Sequence, residues 1–179
     1  MDTPLVQLTS PESAGELYLV GFRLDPSAEA AEFYTLVGAL AGREQPIAAS
    51  GRILLFRSPA AAARALESSD NGLAALRPIP TEIELLCDIG EALHIANQQP
   101  ADTDGILFEV IAVFDDLLRE IQLSPPREFA AALARTAARL SHSPDLEGFL
   151  SPRTVTRQRL EDSLLWCLGA LMAKSHWVE

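Results

Sequence analysis

The segment from residue 105 to 123, GILFEVIAVFDDLLREIQL, constrains the fold more than any other part of this chain. Its apolar residues recur at steps of three and four, which places them on one broad side of a helix. The charged residues of the segment fall largely on the remaining arc. Because so wide an apolar side has to be covered, the sequence predicts that several other elements pack against this helix.

Three further helices are predicted in the C-terminal part of the chain. Thr81 and Glu84 form a capping-box pattern that opens a helix from residue 82 to about 97. Ser124-Pro125 and Ser151-Pro152 each place a cap acceptor before a proline, and they predict helices that begin there. Four helices joined by short connections favour an antiparallel bundle.

The N-terminal part predicts alternating strands and helices. Asp25-Pro26-Ser27 is typical of a helix start, and Gly42 of a helix end. Ser50-Gly51 predicts a tight turn between two short strands. The predicted elements are strands at residues 4–9 and 16–24, a helix at 26–41, strands at 47–49 and 52–57, and a helix from Ser58 to about Ser68.

Together these patterns predict an α+β protein. Residues 69–80 contain Asp-Asn-Gly and two prolines, which indicate a linker. We therefore expect a small antiparallel or mixed β-α-β-β-α unit at residues 1–77, followed by and packed on a C-terminal four-helix bundle at residues 78–179. One continuous core shared by both parts is the alternative.

Charge and cysteine content limit the classes of function. The formal net charge of −11 argues against non-specific binding to nucleic acid or to an anionic membrane. Residues 81–120 carry a net charge of −9 and residues 121–179 one of +1, so we expect the acidic and basic helices to face each other. Two isolated cysteines and the absence of a signal peptide predict a soluble, cytoplasmic protein.

A metal site is one hypothesis for the helix predicted at residues 82–97. Cys87, Glu91 and His94 follow one another at steps of four and three, so on a helix all three side chains share one side. A Glu-x-x-His pair supplies ligands in di-metal carboxylate bundles. Those sites need a second such pair, and neither His142 nor His176 has a glutamate three residues before it. The sequence therefore predicts no metal and no cofactor, and these three residues remain the candidates.

An acidic group around the predicted central helix has a structural explanation. It comprises Asp102, Asp104, Asp115, Asp116 and Glu120. Carboxylates can hold Mg²⁺ or Ca²⁺, but a calcium loop needs oxygen ligands at alternating positions around a central glycine. Acidic residues at the start of a helix also suit its dipole, so we expect no bound ion here.

A basic group follows in the last third of the chain, and no catalytic motif is present. Two of its members, Arg135 and Arg139, lie one helical turn apart and can grip a phosphate or a carboxylate, but pairing with the acidic helices is the favoured prediction. We find no nucleophile elbow, phosphate-binding loop, dinucleotide fingerprint or zinc-protease motif. The group consists of Arg127, Arg135, Arg139, Arg153, Arg157 and Arg159.

The last predicted helix gives the best indication of function. Residues 164–168, LLWCL, are apolar on every side of a helix, which leaves more apolar surface than one side of a bundle covers. The sequence therefore predicts a non-catalytic module that binds another protein or itself, as a homodimer, with Leu165 and Trp166 as interface candidates. A metal-dependent bundle protein using Glu91 and His94, or a carrier with a pocket between sheet and bundle, are the alternatives.

Overall fold

The computed structural model describes residues 16–40, 43–68 and 80–178, and over these ranges the protein is α+β. The strands are β1 (Glu16–Arg23), β2 (Phe33–Leu40), β3 (Arg43–Pro46), β4 (Ala48–Ala49), β5 (Arg52–Phe56), β6 (Ile83–Asp88) and β7 (Ser175–Val178). The helices are α1 (Pro59–Ser68), α2 (Ile89–Gln98), α3 (Ile106–Glu120), α4 (Arg127–Leu140) and α5 (Arg157–Lys174).

The seven described strands form one mixed sheet in the order β4-β5-β2-β1-β6, with β3 paired to β2 and β7 paired to β5. The β1–β2 pair is antiparallel, with Gly21 opposite Tyr34, whereas β1–β6 and β5–β7 are parallel pairs. Both parallel partners, β6 and β7, come from the C-terminal part of the chain. The sheet therefore takes strands from both sides of the predicted linker.

Helices cover both faces of this sheet. The larger core lies between one face and helices α2–α5, and it joins strand residues such as Val20 and Phe22 to helix residues such as Phe114 and Leu164. The smaller core lies on the other face, where α1 contacts β2, β5 and β7. Helix α3 contacts α2, α4, α5, β3 and β6, so the prediction that several elements surround it is confirmed.

The helix predicted at residues 26–41 is wrong, because residues 33–40 form strand β2. The first six residues of β2, FYTLVG, are all buried between the two cores, and a short, mostly apolar segment of this length fits a helix or a covered strand equally well. The Asp25 carboxylate accepts hydrogen bonds from the Ser27 amide (2.8 Å) and the Ser27 hydroxyl. It therefore stabilises a turn rather than a helix start.

The helix predicted at residues 82–97 is wrong in its first half. Residues 83–88 form strand β6 beside β1, and helix α2 begins at Ile89. Asp88, rather than Thr81, is the N-cap, since its carboxylate accepts a hydrogen bond from the Glu91 amide (3.1 Å). The two assignments differ because both Thr81-x-x-Glu84 and Asp88-x-x-Glu91 fit a capping pattern, and only the pairing with β1 selects the second.

The last helix begins later than predicted. The Thr156 hydroxyl caps α5 by accepting a hydrogen bond from the Arg159 amide (3.1 Å), five residues after Ser151. The strand predicted at residues 16–24, the helices at residues 58–68 and 105–123, and the turn between β4 and β5 are confirmed. A helix also follows Ser124, but it begins at Arg127 with Pro126, rather than Ser124, at its N-cap position. Both Ser50 and Gly51 adopt positive φ angles in that turn.

The α+β class is confirmed, while the antiparallel four-helix bundle is not. Helices α2, α3, α4 and α5 contact one another, but their core also includes the sheet. The predicted strand at residues 4–9 and the predicted domain boundary at residues 77 and 78 lie outside the described residues. The division into two units therefore stays a prediction.

Candidate association surface and binding groove

Helix α5 carries an unusually long stretch without charge. Residues 163–173, SLLWCLGALMA, span three turns and contain no Asp, Glu, Lys or Arg. One side of the helix is buried in the larger core. This buried side consists of Leu160, Ser163, Leu164, Cys167 and Leu171. Because the uncharged stretch continues round the helix, the opposite side is apolar as well.

We call that opposite side the α5 outer face; it consists of Leu165, Trp166, Gly169, Met172 and Ala173. The Leu165 side chain is 46% exposed, the largest fraction among the exposed large apolar residues that the structure describes. Trp166 and Met172 are half-buried and pack against the larger core, while Gly169 and Ala173 are exposed. Of the two predicted interface residues, Leu165 is therefore exposed at the surface, whereas Trp166 is half-buried beside it.

Gly169 creates a shallow gap beside Leu165. A Cβ atom added at Gly169 would meet no atom within 4 Å outside its own helix, so the space above this residue is open. Leu165, Gly169 and Ala173 are spaced by four residues and therefore line up along the helix. The α5 outer face thus presents one large side chain and one gap on neighbouring turns.

The three metal candidates do not share a helix. Cys87 lies in β6 and is fully buried, whereas Glu91 and His94 lie in α2, so the predicted helical spacing fails at its first member. The Gln99 side-chain nitrogen lies 3.1 Å from Nε2 of His94, within hydrogen-bonding distance. In residues 16–40, 43–68 and 80–178, no group of three His, Cys, Asp or Glu side chains is arranged to hold a metal ion.

Three of the five acidic residues have structural roles, while Asp104 is exposed and Glu120 half-buried. Asp102 is only 3% exposed, and its carboxylate accepts hydrogen bonds from the amides of Leu107 (3.1 Å) and Phe108 (3.0 Å) in the first turn of α3. This confirms that a carboxylate stabilises the start of the helix. Asp115 and Asp116 both form ion pairs with Arg119 on the exposed side of α3.

The described members of the basic group do not form the predicted ion pairs with the acidic helices, although Arg157 contacts the backbone of α2. Arg157 donates hydrogen bonds to the carbonyls of Ala96 (2.7 Å) and Gln99 (3.0 Å), and so binds the C-terminal end of α2. Arg139 pairs with Asp145 and Arg159 with Glu128, all within the last third of the chain. No ion pair of the described residues joins residues 81–120 to residues 121–178.

A groove runs between α3 and α4. The groove has a volume of about 610 Å³, and Cys167, on the buried side of α5, forms part of its lining. Helix α3 contributes residues 108, 111, 112, 114, 115, 118 and 119, and helix α4 contributes residues 130, 133, 134 and 137. The sequence did not predict this groove, because no residue pattern within α3 or α4 determines how far apart the two helices lie.

The space between the sheet and α3 is much smaller. Tyr18, Thr35 and Glu44 are among the residues around a cavity of about 60 Å³ there. Such a volume holds a few water molecules, whereas pockets for small organic ligands span about 300–1,000 Å³. The predicted carrier pocket between sheet and helices is therefore not supported at this place.

Both thiols are expected to be unreactive in the folded protein. Burial raises the pKa of Cys167 to about 12 and also raises the pKa of Cys87, so both stay protonated near neutral pH. With Ellman's reagent at pH 8, we expect both thiols to react at least ~100-fold more slowly in the native protein than in guanidinium. Rapid labelling of either thiol in the native protein would contradict this burial.

Comparisons with known proteins give one structural likeness and no family. No family model and no curated protein matches the chain. The chain is similar to the C-terminal domain of SatS, whose crystal structure was determined in complex with bromine, with a TM-score of 0.57 and 14% sequence identity. The match covers 92% of this chain and 94% of that domain. At this identity, the likeness shows the fold alone.

Membrane insertion of a helix is not supported either. Every helix within the described ranges is too short or too polar to cross a lipid bilayer.

Proposed function

We propose that this chain is a cytoplasmic, non-catalytic protein-interaction module that self-associates through the α5 outer face. The observation that carries the proposal is the solvent exposure of Leu165 in the middle of an uncharged helical stretch. Apolar side chains this exposed gain free energy when a second surface covers them. A homodimer provides such a surface without any further partner.

The arrangement on α5 is complementary to itself. Two copies of α5 can pack antiparallel about a two-fold axis that crosses the α5 outer face at the level of residue 167. In this arrangement Leu165 of one copy lies opposite Gly169 of the other. The side chain of Leu165 then enters the open space above Gly169, and the same contact occurs twice. Leu165 is 46% exposed, so covering it contributes about 1 kcal/mol per copy, roughly half of the value for a fully exposed leucine, before the cost of association is subtracted.

Charge acts against the association of two copies, although it is absent from the contact itself. Each copy carries −11, so two copies repel each other, and this repulsion is screened by salt. We therefore expect association to strengthen as the NaCl concentration rises from about 0.02 M to about 0.5 M. A dissociation constant that increases over this range, measured by sedimentation equilibrium, would indicate a polar contact surface instead.

Leu165→Asp tests the surface directly. Burying two new carboxylates in the contact is expected to raise the dissociation constant of the dimer at least tenfold, because a desolvated charge is costly. The matched control is Ala131→Asp, which places the same charge on the exposed side of α4. This control is expected to change the dissociation constant of the dimer less than twofold. Equal behaviour of the two variants in sedimentation would argue that α5 is not the contact surface.

Gly169→Ala is expected to act in opposite directions on stability and association. In the monomer, alanine in an exposed helix interior stabilises by about 1 kcal/mol relative to glycine, and nothing obstructs the new methyl group. In the dimer, the methyl group occupies the space into which Leu165 enters. Urea unfolding at low protein concentration measures the effect on the monomer, and sedimentation at high concentration measures the effect on association. A stabilised monomer with unchanged association would show that Gly169 is not part of the contact.

A further inference from the structure

We propose that the groove between α3 and α4 binds an amphipathic helix of another protein, with large apolar side chains on one side and basic residues beside α3. This goes beyond self-association, because the groove and the α5 outer face lie on different sides of α5. Cys167 lines the groove from the buried side of α5, whereas Leu165 is exposed on the opposite side.

The spacing of the groove residues matches a helix. On α3 the lining residues 108, 111, 112, 115 and 118 follow steps of three and four, and on α4 residues 130, 133, 134 and 137 do the same. Walls of this kind offer regularly spaced holes for the side chains of a third helix laid along them. The neighbouring helices α3 and α4, with α5 behind them, thus leave a position for one more helix.

The side chains that line the groove leave room for large partners. Ala112, Ala130, Ala134 and Ala137 are small, so side chains such as leucine or phenylalanine of the bound helix can fill the volume of about 610 Å³. Phe108 stands at the rim with 39% of its surface exposed, and Ala112 and Ala134 are exposed too. The groove is therefore an open trough, whereas sites for small molecules bury most of their ligand.

Charge gives the bound helix an orientation. Helix α3 carries four acidic residues and one arginine, a net of −3, whereas α4 carries three arginines and one glutamate, a net of +2. Asp115 and Arg119 line the groove and pair with each other, so the excess of acid on α3 lies beside the groove rather than in its lining, on Glu109, Asp116 and Glu120. A helix with Lys or Arg on the side facing α3 fits this field, and the net charge of −11 attracts a basic helix from a distance.

The test uses a fluorescent peptide of about 16 residues with leucines at helical steps of three and four and lysines beside them. A second peptide of the same composition in scrambled order keeps the charge but loses the apolar side. We expect saturable binding of the first peptide in fluorescence anisotropy, at least tenfold tighter than that of the scrambled peptide. Equal binding of both peptides, or no binding of either, would overturn the proposal.

Variants locate the binding on the groove. Ala112→Glu and Ala134→Glu place a charge on groove residues that are exposed in the free protein, so both variants are expected to fold and to weaken binding at least tenfold. Ala131→Glu, also on α4 but outside the groove, is the matched control and is expected to change binding less than twofold. Binding that Ala112→Glu and Ala134→Glu leave unchanged would place the peptide elsewhere.

A small amphiphile is the competing occupant, and dodecanoate serves as its probe. We expect dodecanoate below its micelle concentration to leave peptide binding unchanged. If dodecanoate displaces the peptide and Ala134→Glu abolishes this displacement, the groove is a pocket for small ligands and the proposal is wrong. Self-association measured on the same variants is expected to stay unchanged, which keeps a failure here distinct from a failure of the α5 contact.

Discussion

Gly90→Ala is expected to lower the free energy of unfolding by about 3 kcal/mol, the upper part of the range for overpacking substitutions. Gly90 is the second residue of α2 and lies against the turn that follows β1. A Cβ atom there would lie 2.3 Å from the carbonyl oxygen of Leu24 and 2.7 Å from Cδ of Pro26. The carbonyl belongs to the backbone, so it cannot rotate away as a side chain does.

The turn that Gly90 contacts is held from several directions. The Glu32 carboxylate accepts hydrogen bonds from the amides of Leu24 (2.6 Å) and Asp25 (3.0 Å). Urea unfolding followed by circular dichroism measures the loss, and Gly169→Ala is the matched control with an opposite expected sign. If Gly90→Ala were as stable as the original protein, α2 and the turn would not be packed as closely as the structure places them.

Asp88→Ala is expected to lower the free energy of unfolding by at least about 2 kcal/mol, the upper end of the range for losing an N-cap. Asp88 is 5% exposed, and it serves two elements at once. One carboxylate oxygen accepts the Glu91 amide at the start of α2, and the other accepts hydrogen bonds from Arg23 of β1, with Nε at 3.1 Å. Its removal therefore leaves an uncapped helix and a cation without its partner.

Two comparisons separate these roles of Asp88. Asp88→Asn keeps an oxygen that can accept the Glu91 amide but removes the charge beside Arg23, so we expect a smaller loss than for Asp88→Ala. Asp115→Ala removes an exposed ion-pair partner of Arg119 and is expected to cost less than about 0.5 kcal/mol. Equal losses for Asp88→Ala and Asp115→Ala in urea unfolding would contradict the structural role of Asp88.

Helix α3 and the β4–β5 turn could be predicted from the sequence because their signals are local. The apolar spacing of residues 105–123 and the Ser50-Gly51 turn each specify a conformation within a few residues. Strands β2 and β6 could not be assigned in this way, since the segments FYTLVGAL and IELLCD fit either conformation. Their pairing with β1, which is distant in sequence, decides between the two.

The ambiguity between helix and strand also limited which site residues could be predicted. The metal hypothesis requires Cys87, Glu91 and His94 to share one helix, and it fails because Cys87 lies in strand β6. The exposure of Leu165 could be anticipated because an uncharged stretch of three turns cannot be covered on one side alone. The groove depends on the separation of α3 from α4, which no residue pattern within either helix determines.

Sedimentation velocity of the unmodified protein over a wide range of concentrations is the most direct test of association through α5. We expect a second species at twice 19.3 kDa whose fraction grows with protein concentration, and that is lost in Leu165→Asp but retained in Ala131→Asp. A single species of 19.3 kDa at the highest concentration would contradict it.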